Sequence, residues 1–82
     1  MEFFIEFKKR AVKDLKKIPK ADAIKLLSKI NELKKELKGD VKKLTNHTPE
    51  YRLRVGNFRI LFEINGNRII IYKVRHRKRA YN

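Results

Sequence analysis

The chain contains no cysteine, which excludes a disulfide framework, a thiolate zinc site and a cysteine nucleophile. It is also compatible with a reducing cytosol. No apolar run approaches the roughly 20 residues that span a bilayer. Met1-Glu2-Phe3-Phe4 has neither the basic start nor the long apolar stretch of a signal peptide. A cytoplasmic protein with no membrane partner is expected. Acidic residues are scarce, 9 Asp and Glu against 23 Lys and Arg, and their spacing matches no metal motif. Glu32 and Glu36 stand four apart, as on a solvated helix face. His47 and His76 make no ligand pattern, and no glycine-rich phosphate loop is present. The sequence calls for no metal and no cofactor.

What is present is positive charge. The formal net charge is +14 on 82 residues, and self-repulsion of that size opposes compactness. Solubility requires less, so a polyanionic partner is the better reading than lysine bias on helix exteriors. A chain this short forms one domain, buries only about 60% of the surface its unfolded form exposes, and has little room for an enclosed pocket. Function is therefore expected on an open face or shallow groove.

The pattern predicts an α+β fold in the order β-α-α-β-β-β. Glu2 to Phe7 alternates as a strand, with Phe3, Ile5 and Phe7 on one side. Lys8 to Lys17 reads as a helix with Ala11, Val12, Leu15 and Ile18 on its apolar face, and Pro19 ends it. Lys20 to Lys38 reads as a second helix, striped by Leu26, Ile30, Leu33 and Leu37 and broadened by Ala23 and Leu27. Asp40 to Glu50 reads mostly as loop. Tyr51 to Val74 reads as a three-stranded meander, with a two-residue turn at Gly56-Asn57 and a type I′ turn at Asn65-Gly66. Arg68 to Val74 is apolar on both faces. These strands give an antiparallel sheet, the first strand is added at an edge, and the helix hairpin covers one face.

A two-residue turn at Gly56-Asn57 sets Val55 opposite Phe58 and Arg54 opposite Arg59, with Arg52 on the same face. Tyr51, Leu53, Val55, Phe58, Ile60 and Phe62 then face the helices. The next hairpin is expected to set Ile64 opposite Asn67 and Arg59 opposite Tyr72. Like charges directly opposite destabilise a sheet, so three arginines on one patch make sense where an anion lies. Arginine's planar fork suits phosphate. The competing reading is that the arginines are solvated and point apart. RNA can be cut without a metal, because its 2′-hydroxyl can attack the adjacent phosphate. Such a site needs donors for the equatorial oxygens and groups that handle two protons.

The stretch Tyr51-Arg52-Leu53-Arg54-Val55-Gly56-Asn57-Phe58-Arg59-Ile60-Leu61-Phe62-Glu63-Ile64 resembles the Y-R-x-R-x-G-D-Y-R-x-x-Y-x-I block of RelE-type toxins, members of the RelE/ParE toxin–antitoxin superfamily. The tail His76-Arg77-Lys78-Arg79-Ala80-Tyr81 resembles that family's H-R-x-x-x-Y ending. The resemblance covers essentially the whole chain. It implies a single RelE-like toxin domain over 1–82 with a microbial-ribonuclease-like fold. It further implies ribosome-dependent, metal-independent cleavage of messenger RNA in the A site, and a RelB-type antitoxin partner.

By residue, Arg52 and Arg54 fall where the family has basic residues on its second strand. Arg59 falls on the arginine that supports the transition state, Arg77 on the proposed general acid for the leaving 5′-oxygen, and Tyr81 on the tyrosine that stacks on or orients a base. Arg54, Arg59, Arg77 and Tyr81 are thus the implied catalytic set, with Arg52, Arg75, His76, Lys78 and Arg79 as RNA contacts. Three positions depart from the pattern. Some members have lysine, the proposed general base, at Arg54; the usual glycine is Arg75; the frequent turn aspartate is Asn57. Arginine is a poor base, so the base stays open, with His76 and His47 as candidates by residue type. Two other functions stay open as well: a ParE-like toxin that poisons DNA gyrase, and a non-enzymatic ribosome- or RNA-binding protein whose arginines only grip phosphate.

Overall fold

In the computed structural model, which describes residues 2–37 and 39–76, the chain runs β1 (Phe4–Phe7), α1 (Lys9–Lys16), α2 (Lys20–Glu32), β2 (Asp40–Lys43), β3 (Tyr51–Val55), β4 (Phe58–Asn65) and β5 (Arg68–His76). The strands form one sheet in the order β1-β5-β4-β3-β2. The expected α+β architecture is found, and β1 lies at an edge. The sheet is mixed, however: β2 to β5 are antiparallel neighbours, whereas β1 pairs with β5 in parallel.

The segment expected as loop from Asp40 onward begins with a strand, β2, paired to β3. Asp40-Val41-Lys42-Lys43 holds one apolar residue, too few for visible alternation. Val41 packs on the core, and pairing with a neighbour makes the strand. Helix α2 stops at Glu32 instead of reaching Lys38. Leu33 and Lys34 donate to Ile30 and Asn31, which tightens the last turn. The Lys34 carbonyl is then captured by the Phe3 N–H at 2.7 Å, so it serves the N-terminal segment and not a further helical turn.

The core lies between the helices and one sheet face. Ala11, Leu26, Ile30 and Leu33 meet Leu53, Val55, Ile60, Phe62, Ile69, Ile71 and Val74. Tyr51 and Phe58 pack against this cluster, so all six strand residues expected to face the helices do so. Leu15 and Ile18 also turn inward, but Phe7, Val12, Leu27 and Leu37 stand 37 to 43% exposed. Ala11 is the point of close approach of α1 to the sheet, and its neighbour Val12 falls outside the contact.

The β3–β4 turn is as expected, with Val55 opposite Phe58 and Arg54 opposite Arg59. The β4–β5 turn is one residue later than expected, because Asn65 pairs with Arg68 and Ile64 with Ile69. Gly66 takes φ +62°, and Asn65 and Asn67 keep negative φ. A glycine-first turn needs positive φ only at its first position, whereas type I′ needs it at both. Further along, a register shift between Leu61 and Phe62 leaves Tyr72 without a cross-strand partner. This bulge on β5 has consequences for the opposite face.

Candidate nucleic-acid interface

Strand residues alternate faces, and directly opposed residues share one. Before Tyr72, Ile69 and Ile71 face the core; after it, Val74 does. An unbulged β5 would send Lys73 and Arg75 to the core side. The extra residue reverses the alternation and delivers both to the outer face. Arg59 accordingly pairs with Arg75 and not with the expected Tyr72. The Tyr72 ring instead lies under Lys8, whose Nζ is 5.5 Å from the ring centroid.

The outer face therefore carries two cross-strand rows. One runs Asp40, Arg54, Arg59, Arg75, and the next runs Lys42, Arg52, Leu61, Lys73. Strands are spaced about 4.8 Å apart, so the three arginines of the first row form a ledge about 10 Å wide. No helix among the described residues covers it. Asp40, which sequence reasoning left in a loop, closes the ledge. Its Oδ1 lies 3.4 Å from Arg52 Nη1 and its Oδ2 lies 3.8 Å from Arg54 Nε. Arg52 is 7% exposed, and its buried Nη1 lacks a hydrogen bond of good geometry. Coulomb attraction to Asp40 is what offsets that burial. Arg54 is half-exposed and available to a ligand. Leu61 and Ile70 are buried on this same face.

Lys73 stands opposite Leu61, two residues from Arg75 on its own strand. Its ammonium is held below the ordinary lysine range by burial first, then by the charges of Arg75 and Arg10, with Asp14 pulling the other way. Asp14 sits on α1, where its Oδ2 accepts the Val74 N–H at 3.0 Å and its Oδ1 accepts from Arg10 Nε at 3.1 Å.

The structure brings together Arg52, Arg54, Arg59 and Arg75. It does not bring the histidines to them. His76 pairs with Phe58 and meets its ring edge-on at 5.1 Å, on the helix side of the sheet. His47 lies in the β2–β3 loop, at the other end of β3 from Arg54, with Nδ1 3.0 Å from the Pro49 carbonyl oxygen. Arg77, Lys78, Arg79 and Tyr81 lie outside the described residues. Asp40 and Lys73 were missed. The run Ile69-Ile70-Ile71-Tyr72 conceals which face follows, and only the bulge decides it. Among the described residues, no three His, Asp or Glu side chains converge to hold a metal ion.

A family profile described as the ParE toxin of type II toxin–antitoxin systems, parDE, matches residues 5–81. The chain is 44% identical to Toxin RelE3 of Methanocaldococcus jannaschii, over 93% of this chain and 92% of that protein. Its fold is similar to a chain of the RelB–RelE antitoxin–toxin complex from Methanococcus jannaschii, at 40% identity and TM-score 0.79, covering 93% of this chain and 94% of the other. A chain of the archaeal RelE–RelB complex from Pyrococcus horikoshii is also similar, at 31% identity and TM-score 0.79, covering 96% and 99%. With the arginine-bearing strands and helix pair in place, these likenesses establish that the chain belongs to the RelE/ParE family of toxins from type II toxin–antitoxin systems.

Proposed function

We propose that this toxin is a ribosome-dependent endoribonuclease that cuts messenger RNA in the A site and is held inactive by a RelB-type antitoxin. The observation that supports this best is the row Arg54, Arg59, Arg75 on the sheet face turned away from the core. A phosphodiester laid across that row meets guanidiniums where charge develops as the 2′-oxygen attacks phosphorus. Each such preorganised donor can be worth about 2.7 to 4 kcal/mol. In this reading Arg77 protonates the leaving 5′-oxygen and Tyr81 orients the base, while Lys78 and Arg79 add phosphate contacts. The products are a cyclic phosphate and a 5′-hydroxyl, and the step needs no metal. The face is open, so the ribosome supplies the alignment of the 2′-hydroxyl. That places the activity in the cytoplasm.

The antitoxin reading draws on the RelB complexes of the two archaeal relatives and on the net charge of +14. It also draws on an open cleft of about 620 Å³ between β1 and α2, lined by Phe4, Phe7, Ile24, Leu27 and Lys34. An acidic, amphipathic antitoxin segment fits such a cleft and its basic surroundings.

The description of the matching family profile favours a second reading, a poison of DNA gyrase. Mapping RNA ends after incubation with translating ribosomes separates the two. Cuts within codons are expected here. DNA double-strand breaks with gyrase and no new RNA ends would move the assignment to gyrase. Neither outcome would mean a non-enzymatic RNA binder.

A further inference from the structure

We propose that Lys73 takes the proton from the attacking 2′-hydroxyl. The inference rests on the ribonuclease reading and supplies the base which that reading lacks. Of the other cations around the ledge among the described residues, Arg52, Arg54, Arg59 and Arg75 are guanidiniums, protonated at rest and without a lone pair to take a proton, and Lys42 lies on the edge strand β2, two strands from Leu61 and three from Lys73 in its row. His76 is on the far side of the sheet and His47 is at the other end of β3. Three nearby carboxylates are held in ion pairs. Asp40 is ion-paired to Arg52 and Arg54, Glu6 to Arg68, and Asp14 to Arg10 and the Val74 N–H. Glu63 pairs with Ile70, four residues along β4 from Arg59.

Lys73 is placed differently. It stands diagonal to Arg59 and two residues from Arg75, about 7 Å from each along the sheet. A phosphate held by those two arginines leaves its neighbouring ribose within reach of the flexible four-carbon lysine stem. The bulge at Tyr72 puts Lys73 on this face, with Leu61 opposite it. That setting, together with Arg75 and Arg10, favours the neutral amine a base requires. Arg59 and Glu63 flank Leu61 on β4, and Asp14 on α1 opposes the shift. In the step, the Lys73 Nζ lone pair takes the 2′-hydroxyl proton as the 2′-oxygen bonds to phosphorus. The bond from phosphorus to the 5′-oxygen breaks, and that oxygen takes a proton from Arg77. Lys73 returns its proton to solvent, and solvent reprotonates Arg77, so no water is consumed.

The test is single-turnover cleavage of ribosome-bound messenger RNA across roughly pH 6 to 9. The wild-type rate should climb with pH and level off below the ordinary lysine range. Lys73→Arg keeps the charge but removes the base, and should lose about 10²- to 10⁴-fold with the inflection gone. Lys73→Ala should lose as much and recover in part with added methylamine, which Lys73→Arg should not. Arg59→Ala should slow cleavage while keeping the inflection in whatever rate remains. Three results would overturn the assignment: Lys73→Arg cutting within about threefold of wild type, an unchanged inflection in both Lys73 variants, or loss of the inflection in Asp40→Asn instead. If Lys73→Arg fails to fold, Lys73→Gln takes its place. Absence of cleavage by the wild type would instead remove the ribonuclease reading, and this inference with it.

Discussion

A buried guanidinium is stable only with a counter-charge nearby, and for Arg52 that charge is Asp40. Breaking a fully buried pair costs about 3 to 5 kcal/mol, but the Asp40 side chain is half in water, so part of the charge is recovered by solvent. Asp40→Asn should therefore lower stability by about 1 to 2 kcal/mol. Glu50→Gln breaks the exposed 3.9 Å pair with Lys43 and should change stability by less than about 1 kcal/mol. Urea unfolding of the two variants side by side checks the contrast, and equal effects would mean that Arg52 does not depend on Asp40. Arg59 behaves in the opposite way. It lies between Arg54 and Arg75, so Arg59→Ala relieves like-charge repulsion. Its stability should stay within about 1 kcal/mol of wild type while messenger RNA cleavage on ribosomes slows sharply. Arg77→Ala and Tyr81→Ala should slow cleavage as sharply, with Lys16→Ala on the exposed side of α1 as the control. Wild-type cleavage by both the Arg59 and Arg77 variants would defeat the site assignment.

At the scale of elements, β5 does the most to build the site, and it needs protection beyond Ile71. The last register partner on β1 is Phe7, opposite Ile71, so among the described residues no strand pairs with this edge of β5 from Tyr72 onward. An open edge presents unpaired backbone donors. Helix α1 answers this with Asp14, which takes the Val74 N–H. Asp14→Ala should lower stability by about 1.5 to 3 kcal/mol, the range for hydrogen bonds to charged groups. It should also speed amide exchange at Val74 selectively, whereas Asp14→Asn, which keeps an acceptor, should do less. Unchanged exchange at Val74 would rule out this role.

The same strand shows where the sequence stops being readable. The period-2 pattern of Tyr51 to Val55 and the Gly56-Asn57 turn allow Arg52, Arg54 and Arg59 to be placed together from sequence, because a two-residue turn fixes register and register fixes faces. Past Asn65 the logic fails. Asn-Gly and Gly-Asn turns compete for the same residues, and an apolar run carries no face information that could reveal a bulge at Tyr72. The place of Arg75 opposite Arg59, and Lys73 altogether, are therefore invisible until the pairing is known. The pair of Asp40 with Arg52 is hidden for a related reason: β2 is a strand by virtue of its neighbour, not its own pattern.

For the molecule as a whole, charge and apolar surface set different rates of the same encounter. With +14 on 82 residues, long-range attraction dominates the approach of an acidic antitoxin, and such steering is screened over about 10 Å at 0.1 M salt. The association rate should therefore fall at least tenfold from low salt to roughly 0.5 M. Residence depends instead on short-range burial. Leu27 is 43% exposed at the cleft beside β1 and Ile24 is 59% exposed, so Leu27→Asp disturbs the core little. In the complex it would place a desolvated charge against an apolar partner. The expected result is a dissociation rate raised by about 30-fold, the equivalent of a 2 kcal/mol contact. The association rate and ribosome-dependent cleavage by the free toxin should hardly change, because the cleft lies across the fold from the arginine row. Stopped-flow association over a salt series and surface-immobilised dissociation, each with wild type and Leu27→Asp, read the two effects separately. A salt-independent association rate would remove the electrostatic half of this account. An unchanged dissociation rate would mean that the antitoxin does not use the cleft between β1 and α2.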